Sequence, residues 1–299
     1  MHNPALLHVH LKTLLSSGVF LLARSCWMIA MFIHAVSAQQ PLASHPVDGE
    51  RLDFRVTYEW GPLYLEVGDA TFTSKSSSYE DVALWSFDGW GTSRSHWNWF
   101  YPVNCVYSSV ADAQLKPLNF QRKGTEGSHR YDRWYDLSDP SKITWSSNDP
   151  ELKSNALERA SDAEVIRDLM TAVHWCRHLP WDTIHPGTVI PMNLVLDGAI
   201  HHTTLLFQGT EMWMQPEISA PLRCWVFEPV LIEGTVFKAG DHMRVYVTAD
   251  SLRIPVFIET ELIVGAARIY LKSRAVLEPD SMNTLREEMR VSRDAFLQR

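Results

Sequence analysis

A strict alternation of side-chain character in the segment Met243–Ser273 constrains the fold more than any other feature of this chain. Apolar Met243, Val245 and Val247 alternate with more polar neighbours, which is the period of a strand with one buried face. A short Ala-Asp-Ser turn follows, and the chain returns through a second run of β-branched residues. Pro255 cannot donate a backbone hydrogen bond, so the return strand begins there or lies at an edge. The segment therefore predicts a β-hairpin that continues into a further strand.

Short alternating stretches of this kind recur through most of the chain, separated by residues that favour turns. The pair Asp197-Gly198, for example, lies between two such stretches and is a strong hairpin signal. Regular short strands with few helical segments indicate a meander, sandwich or barrel. We therefore predict a mostly β protein, built as a curled antiparallel sheet or half-barrel.

One segment, at about residues 161–179, departs from the strand period. Its apolar residues recur at steps of three and four, which predicts a single amphipathic helix packed against the sheet. Ser161 followed by Glu164 resembles a capping box at the start, and Pro180 ends the segment. This central helix is the predicted exception in an otherwise β chain.

The first 38 residues resemble a secretory signal peptide. They contain no acid, Lys12 and Arg24 precede an apolar run, and small residues lead up to Ala38, after which cleavage is expected. A membrane anchor is the alternative, but the apolar run is shorter than the ~20 residues that a spanning helix needs. We predict an exported protein, periplasmic or associated with the outer membrane, without a transmembrane span in its mature part. The position of the true start codon stays open.

The remainder is predicted to contain a lead-in segment at 39–50, a single β-rich domain at 51–275 and a charged helical tail at 276–299. Without residues 1–38 the formal net charge falls from −8 to −10, because only two basic residues are lost. An acidic chain of this kind is a poor partner for nucleic acid. Three cysteines remain, Cys105, Cys176 and Cys224, and they form either one disulfide with one free thiol or three buried thiols.

Several of these segments together resemble a bacterial envelope family known as domain of unknown function 3108, from about Leu52 to Ser273. The matching features are Tyr58, Gly68-Asp69-Ala70, Trp99-Phe100-Tyr101, Leu118–Arg122, Glu126-Gly127, Asp168–Arg177, Cys224, Pro229, Arg253–Val256 and Val264-Gly265. The resemblance implies an exported protein of Gram-negative bacteria with a curled sheet or half-barrel and one helix. It implies no activity, cofactor or catalytic residue, since none is established for the family. His174-Trp175 and Asn104-Cys105 depart from its usual pattern.

An aromatic cluster is the first candidate binding site. Its members are Trp85, Trp90, Trp97, Trp99 and Tyr101, in a chain that has 12 tryptophans. Flat apolar rings of this kind can stack on a sugar or contact a lipid, whereas aromatic residues at strand spacing also fill the core of a curled sheet. Lipid, glycan or an envelope protein are therefore the partners that we consider.

A histidine-rich segment is the second candidate. His174 and His178 lie four residues apart on one helix face, and His185 follows nearby, so the three could hold zinc or copper. The glutamate that accompanies such a histidine pair in zinc proteases is absent. An ordinary helix-to-loop segment is the alternative, and our prediction is that the protein has no metal and no other cofactor.

Charged residues supply no catalytic constellation. Glu126, Arg177 and Arg253 are predicted to make structural polar contacts, and the pair Glu259 and Glu261 is predicted to lie on a solvated strand face. The sequence also lacks a serine nucleophile elbow, a phosphate loop and a dinucleotide fingerprint. We therefore expect a non-catalytic binding or structural module for an apolar or glycan ligand. The alternative is an envelope glycan hydrolase or lyase that uses acids in the concavity of the sheet.

Overall fold

The structure is a computed structural model that describes residues 42, 44–99, 101–148, 156–159, 165–215, 220–230, 243–261, 265–278 and 280–287. Its internal contacts divide the chain into residues 1–37 and residues 38–299, and the description falls within the second unit. The predicted signal peptide lies outside the described residues.

Within the described ranges, no helix is both long and apolar enough to cross a membrane.

In the part of the chain that the structure describes, fifteen strands make up most of the fold. The first eight are β1 (Glu50–Trp60), β2 (Leu63–Tyr79), β3 (Val82–Ser93), β4 (Val103–Asp112), β5 (Pro117–Glu126), β6 (His129–Asp136), β7 (Lys142–Ser147) and β8 (Ala156–Glu158). The other seven are β9 (Ile166–Arg167), β10 (Val189–Leu196), β11 (Ala199–Trp213), β12 (Leu222–Pro229), β13 (Met243–Thr248), β14 (Pro255–Glu261) and β15 (Ala266–Val276). The prediction of a mostly β protein is confirmed.

All fifteen strands belong to one sheet, in the order β8-β7-β6-β5-β4-β3-β2-β1-β15-β14-β13-β12-β11-β10-β9. Every pairing is antiparallel except the short parallel contact of β9 with β10. The first and last long strands, β1 and β15, are neighbours in the middle of the sheet. The sheet therefore consists of two wings that extend in opposite directions from the β1–β15 pair.

The hairpin predicted from the alternation in Met243–Ser273 is formed by β13 and β14. Pro255 is the first residue of β14, as expected for a residue that cannot donate to the ladder. The predicted turn at Asp197-Gly198 also forms, between β10 and β11. Both turn residues have positive φ angles, +50° and +75°, which is the backbone geometry of a type I′ hairpin.

The central helix, α1, is shorter than predicted and spans Leu169–His178. Ser161 and Glu164 lie outside the described residues, but Ile166–Arg167 is a strand, so a helix that starts at Ser161 is wrong. Asp168 is the real N-cap, because its carboxylate accepts hydrogen bonds from the backbone amides of Met170 and Thr171 at 2.8 and 3.0 Å. The apolar residues just before Asp168 fit both periods, which explains the misplaced start.

The sheet curls until its two wings touch. Asp197, in the β10–β11 turn, accepts a hydrogen bond from Arg122 of β5 at 2.8 Å. The backbone amide of Gly198 donates to the hydroxyl of Tyr135 on β6 at 3.1 Å. The face enclosed in this way, called the inner face below, carries α1 and the main apolar core. Aromatic side chains from both wings fill that core, including Phe87, Phe120, Tyr135, Phe207 and Phe227, together with Trp181 from the segment after α1.

Helix α1 lies toward one end of the curled sheet. Arg177 donates to the carbonyl of Arg253 in the β13–β14 connection, and Arg167, just before α1, donates to the carbonyl of Leu115 in the β4–β5 turn. Both connections are at the end where β1 begins, which we call the helix end. The opposite end, where β1 turns into β2 and where Asp197 lies, is called the far end.

A second helix, at 280–287, packs on the outer face of the sheet. Its residue Met282 is fully buried, and its residue Asn283 accepts a hydrogen bond from Lys75 of β2 at 2.9 Å. Arg286 forms an ion pair with Asp88 of β3. The prediction of one central helix therefore describes only α1, because the described residues contain two helices on opposite faces of the sheet.

Candidate functional site

The aromatic residues predicted as a binding platform lie on different parts of the sheet. Trp85 shares the inner face with Phe87, and their rings stack at 6.2 Å. Trp90 is five residues further along β3, so its side chain points to the outer face, where it is 6% exposed. These two rings are separated by the sheet and cannot contact one ligand together.

The other three aromatic candidates lie in the β3–β4 connection at the far end. The indole nitrogen of Trp97 donates to the carbonyl of Glu66 at 3.0 Å, which fixes that ring beside β2. Trp99 and Tyr101 are 80% and 52% exposed. The Tyr101 ring lies against the turn at Gly127. Trp97, Trp99 and Tyr101 thus share one connection at the far end, with Trp97 held beside β2 and Tyr101 against the β5–β6 turn.

Two of the predicted structural polar residues, Arg177 and Arg253, lie together in the interior at the helix end. Arg177 pairs with Glu50 at 2.8 Å, and both side chains are 2% exposed. Arg253 donates to the carbonyl of Leu179 at 2.6 Å and lies over the ring of Trp225 at 4.6 Å. Through these contacts the two arginines tie the C-terminal end of α1 to β1 and to the β13–β14 connection.

Glu126 belongs to a second polar group, on the inner face at the far end. Its carboxylate accepts hydrogen bonds from the hydroxyl of Tyr131 at 2.5 Å and from Arg122 at 3.2 Å. The guanidinium of Arg122 lies over the rings of Tyr131 and Tyr107, 4.5 and 5.6 Å from their centroids. Asp197 joins this group from the other wing. We call it the arginine cluster: Tyr107, Arg122, Glu126, Tyr131, Arg133 and Asp197.

The phenols of the arginine cluster and the neighbouring thiol are protonated because they are buried, although the charge of Arg122 acts in the opposite direction. Burial raises the pKa of Tyr107 to about 12 and raises the pKa of Tyr131 as well. Burial and the nearby carboxylate of Glu126 raise the pKa of Cys105 to about 11. Burial likewise raises the pKa values of Cys176 and Cys224 to about 12. All three cysteines are free, and a protonated thiol is a weak nucleophile.

The histidines predicted as an alternative metal site do not converge. His174 stacks on Phe87 at 3.9 Å in the core, and His178 contacts the hydroxyl of Ser44 at 2.8 Å. His185 is exposed in the loop beyond α1. Burial lowers the pKa of His174 well below its usual range and that of His178 to about 2, so both rings are neutral. Among the described side chains, no group of three or more His, Cys, Asp or Glu could hold a metal ion.

The inner face also carries a set of apolar side chains that sequence reasoning did not single out. They lie in two in-register rows across β2, β1, β15, β14 and β13 at the far end, and all are half-buried. We call this set the apolar wall: Leu65, Tyr58, Ala267 and Met243 in the outermost row, with Val56, Ile269 and Ile258 in the next. Thr260 of β14, which is buried, lies between Ala267 and Met243 in the outermost row.

The position of the apolar wall on the inner face follows from its neighbours. Ile258 and Met243 pack against the edge of the main core. Residues paired directly across antiparallel strands share a face, so Ile269 and Val56 lie beside Ile258 on that same face. The alternation of β1 and β14 could have identified these residues. Their partial exposure could not have been predicted, because it depends on α1 lying toward the opposite end.

Asp168 and Asp197 are the other residues that sequence reasoning missed. Asp168 caps α1 and accepts a hydrogen bond from Ser109 of β4 at 2.7 Å, which joins the helix to the sheet. Asp197 was predicted only as a turn residue, yet its carboxylate pairs with both Arg122 and Arg133. The arginines are 75 and 64 positions away in sequence, so no local pattern signals the contact.

Comparison with known proteins agrees with this architecture. The sequence matches the family described as "Protein of unknown function (DUF3108)" over residues 53–272, which confirms the resemblance predicted above. No curated protein matches the chain at a significant level. A β-barrel-like protein of domain of unknown function DUF1849 from Brucella abortus is similar in structure, with a TM-score of 0.52 and 9% sequence identity. The match covers 79% of this chain and 100% of that one. At that identity the likeness shows the fold alone.

A second solved structure is more distant. It is described as a protein with a YmcC-like fold, from Bacteroides fragilis. Its TM-score is 0.30 at 8% identity, and the match covers 79% of this chain and 99% of that chain. A TM-score this low supports no argument about the present chain.

Proposed function

The chain belongs to the DUF3108 family of proteins of unknown function, and we propose that it is an exported, non-catalytic binding protein of the cell envelope. Its ligand is apolar, such as an acyl chain, and lies against the apolar wall. The observation that supports this function is the half-buried state of seven in-register side chains on the inner face, six of them purely hydrocarbon or thioether. Small-ligand sites are typically concave and mostly apolar, with a few polar groups to orient the ligand.

The arrangement of charge on the inner face also favours an apolar ligand. In the arginine cluster, two arginines face two carboxylates, Glu126 and Asp197. The cluster is therefore balanced in charge and gives no net attraction to an anion. Contact with hydrocarbon remains the main driving force, and the phenols of Tyr107 and Tyr131 supply polar groups that can orient a ligand.

The exposed aromatic candidates at the far end extend this proposal. Trp97, Trp99 and Tyr101 flank the end of the sheet where the apolar wall emerges. An aromatic ring with one polar edge suits a boundary between hydrocarbon and water. We place them at the entrance of the site, and Trp85 deeper on the inner face.

The alternative function, a glycan hydrolase or lyase, requires two carboxylates placed about 5–10 Å apart around a substrate. The inner-face acids that we describe are engaged elsewhere. Glu50 pairs with two arginines, Asp168 caps α1, and Glu126 accepts from Arg122 and a tyrosine hydroxyl. Glu259 follows the inner-face residue Ile258 on β14, so its side chain points to the outer face, where it pairs with Arg268 at 2.7 Å. Binding without catalysis is therefore the function we favour.

Native mass spectrometry of the protein purified from its own host tests the proposal directly. We expect a co-purifying lipid, released by denaturation and identified by its mass. In a displacement assay with a fluorescent fatty acid, Ile269→Gln should weaken binding about five- to tenfold, since covering the open half of one isoleucine contributes about 1 kcal/mol. Lys272→Gln is the matched control, because Lys272 is on the same strand but pairs with Asp69 outside the wall.

The proposal fails if no lipid co-purifies and the wild-type protein shows no saturable binding of the fatty acid. It also fails if Ile269→Gln and Lys272→Gln bind the probe equally well. A co-purifying envelope protein in place of lipid would favour a structural role in an assembly.

A further inference from the structure

A separate pocket of about 280 Å³ opens on the outer face of β3, β4 and β5, on the side of the sheet away from α1. Three of its lining side chains are apolar, namely Trp90, Val106 and Val110. Trp90 and Val106 are direct cross-strand partners, so the indole and the valine form one continuous apolar surface. Because Trp90 is only 6% exposed, the apolar surface open to the pocket consists mainly of Val106 and Val110, with a small part of the indole beside them.

The opposite side of the pocket is polar. Asp88 accepts a hydrogen bond from the hydroxyl of Ser108 at 2.7 Å and forms an ion pair with Arg286 of the second helix. The hydroxyl of Ser86 and the side-chain amide of Asn119 also line the pocket, and neither makes a hydrogen bond with another described residue. The pocket thus offers two uncommitted polar groups beside a charge pair that is already neutralised.

We propose that this outer pocket binds one neutral sugar residue of a glycan. A pyranose ring has an apolar C–H face and a rim of hydroxyl groups. The two valines and the accessible part of the indole can contact the apolar face of the sugar. The hydroxyl, amide and carboxylate groups can bind its rim, because each can donate to or accept from a sugar hydroxyl. The site lies on the opposite face of the sheet from the apolar wall, so it is independent of the proposed apolar ligand.

Other ligand classes fit this lining less well. An anion in the pocket would lie beside the carboxylate of Asp88, whose negative charge repels it. A purely apolar ligand would cover Ser86 and Asn119 without giving them hydrogen bonds, which is unfavourable. The volume is suited to a single ring, since pockets for larger drug-sized ligands begin at about 300 Å³.

The indole N–H signal of Trp90 provides a probe of the site. In the ¹⁵N-labelled full chain, the Trp90→Phe variant identifies that signal. The wild-type protein is then titrated separately with glucose, galactose and N-acetylglucosamine, with glycerol as an acyclic polyol. We expect at least one sugar to shift the Trp90 signal saturably, while glycerol does not.

Variants on the polar side of the pocket distinguish binding at this pocket from a general effect of sugars on the protein. Asn119→Ala and Ser86→Ala should each weaken the affinity about tenfold, the ratio that corresponds to one lost hydrogen bond. Gln121→Ala is the control, because Gln121 is two positions along the same strand, is exposed, and does not line the pocket. The proposal is overturned if none of the three sugars shifts the Trp90 signal saturably, if glycerol shifts it equally, or if Asn119→Ala binds as tightly as Gln121→Ala.

Discussion

Replacing Arg177 by methionine should reveal how strongly the interior charge contacts hold α1 against the sheet. The guanidinium pairs with Glu50 at 2.8 Å and also donates to the carbonyl of Arg253 at 2.8 Å. Methionine fills a similar volume but supplies neither the charge nor the donors. The variant therefore leaves the carboxylate of Glu50 buried with only one cation, Arg274, which lies 2.9 Å away.

The expected loss of stability follows from burial. Removing one partner of a buried ion pair costs about 3–5 kcal/mol. Because Glu50 keeps its contact with Arg274, we expect a loss of about 3 kcal/mol from the broken pair. A buried carbonyl that loses its donor adds about 1 kcal/mol. We therefore expect the free energy of unfolding to fall by about 4 kcal/mol. In a domain of this size that corresponds to a decrease in the melting temperature of about 8–16 °C.

Urea denaturation followed by circular dichroism measures this loss. Lys272→Met is the control, because Lys272 and Asp69 pair at 3.0 Å with side chains 47% and 39% exposed, and such surface pairs contribute less than about 1 kcal/mol. In a double-mutant cycle with Glu50→Gln, the double variant should lose less than the sum of the two single losses. A loss below about 1 kcal/mol for Arg177→Met, or strictly additive losses in the cycle, would refute the reasoning.

Four further predictions concern protonation, backbone geometry, metal and processing. Because burial keeps His174 and His178 neutral, the unfolded chain binds more protons than the folded one below about pH 6.5. The free energy of unfolding should therefore have its full value above that pH and fall on acidification by up to about 2.7 kcal/mol per pH unit. Urea midpoints that stay constant as the pH falls below 6.5 would contradict this prediction. Gly198→Ala should destabilise the fold by at least about 1 kcal/mol more than Gly61→Ala. Both glycines have positive φ, but a Cβ at Gly198 would lie 2.4 Å from a tryptophan ring, whereas one at Gly61 meets nothing within 4 Å; equal urea midpoints would count against this. Chelation with EDTA should leave the melting temperature unchanged, and a shift of several degrees would restore the histidine metal site. Mass spectrometry of the exported protein should place the N-terminus at or near Gln39, and intact residues 1–38 would disprove cleavage.

Local signals in the sequence were enough to predict the strands and several of their turns. A period of two assigns alternate side chains to opposite faces, so Met243, Val245 and Val247 had to share one face of a strand. Asp197-Gly198 and Pro255 act through their own backbone preferences, and the structure confirms both positions. The start of α1 was misplaced, because Val165 lies four residues before Leu169 and so fits the helical period, although Ile166–Arg167 is a strand.

The candidate sites required more than the local pattern. Trp85 and Trp90 are an odd number of residues apart, so the strand period already places them on opposite faces. Only the curl of the sheet, however, makes one face an interior and the other a surface. The partial exposure of the apolar wall depends likewise on which end of the sheet α1 covers.

The sequence by itself therefore determined the β architecture, the hairpins and the family, since these follow from side-chain period, turn chemistry and an ordered set of short segments. The tertiary structure decided which groups meet. Glu50 and Arg177 are 127 positions apart, and Arg122 and Asp197 are 75 positions apart. Contacts over such separations leave no periodic trace, because they depend on how far a fifteen-stranded sheet twists and curls before its wings touch.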